Sequence, residues 1–257
     1  MSKIFVTSDL HFGHDREFVW KVRGFNSVME MNEEYVKRWN RMVSNDDDVY
    51  VLGDLMLGDN NIGVHYLSQL NGNIHVVLGN HDTPTRQNIY VGMENIIEIQ
   101  WAIMLNYKKY HFFMTHFPCM TGNLEKESLK QMTLNLYGHT HQNSNFYEDR
   151  PYMYHVGVDS HNGYPVLLDD IIQEMKDKVD ECKGFLGNDD SDELHASKEP
   201  DIKKVIKATI DNWPEWKKDA YREHLFFSPP AISSNVYPKK NYKINFKKDP
   251  PDGGFYG

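Results

Sequence analysis

The chain reads as an α/β fold of two sheets packed face to face with helices outside, followed by an extension of different composition. Three observations predict this. Up to residue 78, short apolar runs alternate with helical patterns in the order β-α-β-α-β, which is the mark of parallel pairing. From residue 95 to 168, further strand patterns follow with little helix between them, which favours a second sheet over one doubly wound sheet. Most of these runs close on Gly, Asp, Asn or His, as expected where functional loops gather at the carboxyl ends of strands.

Taken in order, Ile4-Phe5-Val6-Thr7 is a buried strand that ends in Ser8-Asp9-Leu10-His11-Phe12-Gly13-His14. Asp9 and His11 are two apart, so on extended chain they share one side and can reach a common ion. Ser27-Val28-Met29-Glu30 is a capping box for a helix whose apolar stripe is Met31, Tyr35, Trp39 and Met42 or Val43. Val49 to Leu52 forms the second strand and ends in Gly53-Asp54, after which Asn60 to Leu70 is a helix with Ile62, Tyr66 or Leu67, and Leu70 inward. The third strand, Ile74 to Leu78, runs into Gly79-Asn80-His81-Asp82, where an amide, an imidazole and a carboxylate stand on consecutive residues beside a glycine that permits a sharp turn. Asn95 to Leu105 and Tyr110 to Thr115 are two strands around a turn, the second ending in His116. A helix-like segment, residues 125–130, precedes Leu134 to Tyr137, which leads into Gly138-His139-Thr140-His141. Tyr152 to Val158 and Tyr164 to Leu168 complete the strands. His65, His75, His111, His155 and His161 fall outside this pattern and are assigned structural or surface roles.

Composition is that of an ordinary globular chain: 257 residues, 40% hydrophobic and 25% charged, with a formal net charge of −9. An acidic balance argues against phosphate-backbone binding over the whole surface. Cys119 and Cys182 are the only cysteines and have no Cys-x-x-Cys spacing, which excludes a disulfide framework and a zinc ribbon and points to a reducing compartment. The first apolar run is too short for a signal-peptide core, and no stretch approaches a membrane span, so a cytoplasmic location without membrane contact is expected.

The ordered set Asp9-x-His11, Gly53-Asp54, Gly79-Asn80-His81-Asp82, His116 and Gly138-His139-x-His141 resembles the five-motif pattern of the calcineurin-like metallophosphoesterases, over roughly residues 1–170. That resemblance implies a four-layer α/β/β/α sandwich of two mixed sheets with two divalent metals at the strand ends. By position, Asp9, His11, Asp54 and His141 would bind one metal, and Asp54, Asn80, His116 and His139 the other, with Asp54 as the bridge. Carboxylate, amide and imidazole ligands without thiolate suit manganese, iron or zinc, manganese being the first choice. Two such cations hold a bridging hydroxide for in-line attack and neutralise the phosphoryl oxygens. In the family pattern His81 is the general acid for the leaving oxygen and Asp82 orients its imidazole. His14, Arg23 and Arg86 are the expected substrate contacts, His14 first.

Departures from relatives narrow the substrate. Asp54-Leu55-Met56 lacks the Asp-Arg-Gly continuation of protein serine/threonine phosphatases, and Asp82 stands where those enzymes carry Glu. The expectation is therefore a phosphodiesterase of the small bacterial and phage type, acting on a nucleotide-like or other phosphate ester. The domain is placed at residues 1–183 and an extension at 184–257. Asp169 to Cys182 is an amphipathic helix stopped near Gly184, followed by an acidic linker, two short helices divided at Trp213-Pro214, and a tail. In residues 237–248, lysines alternate with Tyr237, Tyr242 and Phe246, a pattern that could follow a nucleic-acid strand. A nuclease using that tail is one alternative, and a non-catalytic scaffold of the same fold is another. Oligomeric state is not encoded in any motif.

Overall fold

The computed structural model describes residues 2–186 except 125 and 127. The expected linker, short helices and basic-aromatic tail lie outside the described residues. Five strands build the first sheet in the order β4-β3-β2-β1-β9: β1 (Ile4–Thr7), β2 (Asp48–Leu52), β3 (Asn73–Val77) and β4 (Ile96–Gln100) run parallel, and β9 (Val166–Leu167) joins β1 antiparallel. The second sheet has the order β5-β6-β7-β8, in which β5 (Ile103–Tyr107) and β6 (Tyr110–Met114) form a hairpin, and β7 (Thr133–Tyr137) and β8 (Met153–His155) continue parallel to β6. Both sheets are mixed and flanked by helices, as the sequence leads one to expect.

Period-2 burial produces two cores. One face of β1–β3 turns Phe5, Val49, Val51, Ile74 and Val76 toward the helices; the other turns Val6, Tyr50, Leu52 and Val77 toward Phe112, Met114, Leu134, Leu136 and Tyr154 of the second sheet. Helix α2 (Val28–Met42) buries Met31, Tyr35, Val36 and Trp39 in the first core, and Val43 is buried while Met42 points outward. Its start is half of the expected capping box: Ser27 Oγ accepts from the Glu30 N–H at 3.1 Å, but the Glu30 carboxylate reaches back to Asn26 N at 2.8 Å rather than to Ser27. Helix α5 (Leu168–Leu186) packs against β1 and β9 and sends Leu168, Ile171, Ile172 and Met175 into the inter-sheet core.

Several elements differ from expectation for identifiable reasons. The run from Asn95 to Leu105 is two strands belonging to different sheets, because the chain crosses from one sheet to the other at Trp101-Ala102. Helix α3 is Asn60–Leu67, and Gly63 rather than Ile62 faces inward, where Met56 packs directly on the glycine; Ile62 is exposed. No helix occupies residues 125–130 among those described. Two helices went unread: the single turn α1 (Glu17–Trp20), and α4 (Pro84–Val91), which starts with proline in its first turn and was concealed behind the polar Gly79–Asp82 cluster. Gly184 does not stop α5, which continues to Leu186. His75, read as structural, bonds Glu98 at 2.8 Å and approaches Asp48 at 3.3 Å. Among the described residues, no helix is long and apolar enough to cross a membrane.

Replacing Ser27 by Ala removes the acceptor at the start of α2 and should cost about 1 kcal/mol. Urea denaturation should report that loss, while metal content stays that of the wild type because α2 contributes no candidate ligand.

Candidate metal centre

Parallel pairing aligns the strand tips. Thr7 pairs with Val51 and Leu52 with Val77, so the residues that follow β1, β2 and β3 emerge side by side at one edge of the sheet. Backbone bonds then lock the tips together: Asp9 N–H donates to Gly53 O at 3.1 Å, His11 N–H to Asp54 O at 3.0 Å, and Gly138 N–H to His116 O at 3.0 Å. Asp9, His11, Asp54, His139 and His141 have φ of 61°, 52°, 55°, 67° and 48°, left-handed values that are costly for residues with a Cβ and cluster at functional sites. Gly53 has φ +90°, and a Cβ there would lie 2.5 Å from His116 Nδ1 and 2.8 Å from Gly79 Cα, so only glycine fits between the tips.

The side chains converge. Asp54 Oδ2 lies 3.7 Å from His11 Nε2 and 3.5 Å from His116 Nε2, between the two sets of imidazoles. On one side, His11 Nε2 and His141 Nε2 are 3.3 Å apart, and each is 3.9 Å from Asp9 Oδ1. On the other, His116 Nε2 lies 2.9 Å from Asn80 Oδ1 and 3.2 Å from His139 Nδ1. Two groups of acids and imidazoles are thus close enough to hold an ion: Asp9, His11 and His141, and Asp9, Asp54 and His116.

These residues fit divalent metal. Asp9 Oδ1 is buried without a hydrogen-bond partner, an arrangement that is costly unless a cation satisfies it. His116 Nδ1 donates to Leu52 O at 2.8 Å, which leaves the lone pair on Nε2, the atom facing Asp54. Burial, with His141 alongside, holds His11 well below its ordinary pKa, and burial with His116 lowers His139 to about 4, so both rest in the neutral, ligating form. Burial pushes Asp54 up to about 7, with Asp9 and Asp82 adding to the effect and His116 opposing it. Burial thus disfavours the charged carboxylate at this place, and a cation bound beside it would favour that form.

The other residues singled out from sequence have different fates. His81 stands at the rim: its N–H donates to Asp54 Oδ1 at 2.9 Å, its Nε2 is 3.9 Å from Asp54 Oδ2, and its side chain is 34% exposed. Asp82 does not orient that imidazole. Its Oδ2 accepts from Asp54 N and Gly79 N, each at 2.8 Å, and its Oδ1 from Tyr90 OH at 2.7 Å, so the carboxylate ties the tips of β2 and β3 to α4. Arg23 and Arg86, expected at the substrate, are engaged within the protein. Arg86 is buried and bonds Asn60 Oδ1 at 3.1 Å and the His81 carbonyl, and Arg23 bonds Asp159 and the Asp9 carbonyl. His14 remains near the opening, its ring 5.7 Å from that of His11, with Nδ1 unpartnered and its pKa lowered to about 4 by burial and by His81.

Two participants were missed from sequence. Asp159 Oδ2 lies 2.7 Å from His141 Nδ1; burial opposes its charge, but Arg23 and His141 hold the carboxyl well below the usual range. Its signal was available, since Gly157-Val158-Asp159 repeats the strand-tip pattern after β8. Phe117, 46% exposed, sets its ring edge-on against His139 at 4.6 Å and His116 at 5.0 Å.

Residues 2–160 match a family model described as the calcineurin-like phosphoesterase superfamily domain, more than half of the chain. The chain belongs to this superfamily. An uncharacterised protein of Methanocaldococcus jannaschii, MJ1445, is 32% identical over 184 residues, covering 67% of this chain and 91% of that one. The gene 66 protein of Mycobacterium phage D29 is 26% identical over 211 residues, 70% of this chain and 99% of the phage protein. In structure, the Aquifex aeolicus protein of unknown function AQ665 superposes with a TM-score of 0.52 at 19% identity, covering 67% of this chain and 99% of that one, a likeness of fold. A calcineurin-like phosphoesterase domain is that of a metal-dependent phosphoester hydrolase, and the Asp/His groups at these strand tips are its candidate ligands.

Exchanging Asp82 for Ala leaves the buried Asp54 and Gly79 N–H donors without their acceptor and should cost about 1–3 kcal/mol. Thermal denaturation should show the loss together with reduced metal content, and an unchanged melting curve would remove the role of Asp82 as a tie between the tips.

Proposed function

We propose that this calcineurin-like phosphoesterase is a dinuclear phosphodiesterase acting on a nucleotide-like or other phosphate ester. The observation that carries the reading is the pair of ligand groups, Asp9 with His11 and His141 and Asp9 with Asp54 and His116, with Asp54 between the two sets of imidazoles and His81 partly exposed beside them. One metal would be held by Asp9, His11, Asp54 and His141, and the other by Asp54, Asn80, His116 and His139. Bound there, two divalent cations would supply activation of the attacking water and neutralisation of the phosphoryl oxygens. Manganese is the first choice.

The chain's own residues do the rest. His81 would deliver the proton to the departing oxygen from Nε2, against a pKa that burial and Arg86 lower, and the bond from its main-chain N–H to Asp54 keeps the residue beside the centre. Arg86 fixes the His81 carbonyl from the other side. The exposed face of Phe117 beside His139 supports a planar leaving group such as a nucleoside. Two free cysteines accord with work in the cytoplasm. The lysines and aromatics of residues 237–248 favour the nuclease variant of the same reading, which predicts nucleic-acid binding that falls steeply with salt and disappears when that stretch is deleted.

Metal-stripped protein reloaded with manganese should cleave bis-p-nitrophenyl phosphate faster than p-nitrophenyl phosphate, and Asp54→Ala should bind little metal and cleave neither. His81→Ala should retain metal and lose roughly 10²–10⁴-fold in kcat. Full activity of His81→Ala on a diester with a poor leaving group would exclude the general-acid role, and metal binding with no cleavage of any diester would favour a scaffold.

A further inference from the structure

Behind His141 lies a buried pair that no step of the proposed reaction uses. Arg23 meets Asp159 with a two-pronged contact, Nε to Oδ1 at 2.9 Å and Nη2 to Oδ2 at 3.0 Å, and the side chains are 5% and 13% exposed. The same Nη2 donates to the Asp9 carbonyl at 3.0 Å, and Nη1 lies 3.5 Å from the Leu10 carbonyl. The same Asp159 Oδ2 accepts from His141 Nδ1 at 2.7 Å. One arginine therefore links the carboxylate behind His141 to the backbone that carries Asp9 and His11. All three residues of one ligand group are joined in this way. No hydrogen bond from Arg23 or Asp159 reaches Asn80, His116 or His139 among the described residues.

We propose that Asp159 is a positioning residue for the metal held by Asp9, His11 and His141, with Arg23 as its clamp. An acceptor on Nδ1 selects the tautomer whose lone pair is on Nε2, and Nε2 is the atom that faces His11 and Asp9. A carboxylate in that place also raises the donor strength of the imidazole and fixes the plane of its ring. Fold stability is a poorer account of the pair, because desolvating two charges offsets most of their attraction. The loop also has backbone ties of its own, Val158 N–H to Ser8 O at 3.1 Å and Gly163 N–H to Val158 O at 2.9 Å.

The inference rests on the metal-centre reading, and its test separates the two. Metal-free full-length protein is titrated with Co(II) and followed by visible absorption and elemental analysis. Wild type should take up two ions per chain; if it takes up none, the metal centre itself is refuted. D159N should bind one ion as wild type does and the other about 10–100-fold more weakly, with the absorption of that ion altered. R23Q, which spares the bond to His141, should give a smaller loss at the same ion. Two ions bound by D159N with unchanged affinity and spectrum would overturn the proposal, and so would equal weakening of both. Should D159N not fold, the wild type decides: ¹⁵N-histidine spectra of the Zn(II)-loaded protein, with His141 assigned by its loss in H141Q, should show the proton on Nδ1. An unprotonated Nδ1 overturns the proposal.

Discussion

Alignment of the parallel strands β1, β2 and β3 is the constraint on which the site depends. Their pairing is buried on both faces, so a slip of one residue would exchange Phe5, Val49 and Ile74 with neighbours that face the second sheet. With the register held by two cores at once, the tips after Thr7, Leu52 and Val77 are presented at the same level. Asp82 makes that alignment rigid by accepting from the backbones of both Asp54 and Gly79 while Tyr90 holds it from α4.

Strain and charge are concentrated at the edge the register creates. Five candidate ligand residues adopt left-handed backbone, and Gly53 is enclosed by His116 and Gly79. Asp9 and Asp54 are buried close together, with burial raising the Asp54 pKa. Such an assembly of desolvated carboxylates and neutral imidazoles is unfavourable by itself and becomes favourable when cations occupy it. A site that disfavours its own empty state is suited to holding metal tightly.

Around this edge, the basic side chains serve as internal supports. Arg23 and Arg86 look available for a phosphate when only their positions in the chain are known. In the fold they bond main-chain carbonyls, Arg23 that of Asp9 and Arg86 that of His81, and so hold the backbone of a candidate ligand and of the candidate acid. His14 and His81 are left at the opening.

Much of this was legible in the sequence because strand tips are local. An apolar run followed by Gly and a ligand-type residue is a pattern of a few adjacent positions, and it located Asp9, His11, Asp54, Asn80, His116, His139 and His141. Helix α4 and the division of residues 95–105 between two sheets were not legible, since the first has little apolar periodicity and the second depends on which sheet each half joins. Amino-acid order by itself determined the strand-helix alternation, the types of ligand and their places at strand ends, through propensity and spacing. Only tertiary structure decided that Asp82 serves the backbone, that Arg23 and Arg86 are supports, and that Asp159 stands behind His141. A carboxylate's role follows from the donors it meets, and those donors arrive from distant loops: Arg23 and Asp159 are 136 positions apart and meet because the sheets bring β1 and β8 together.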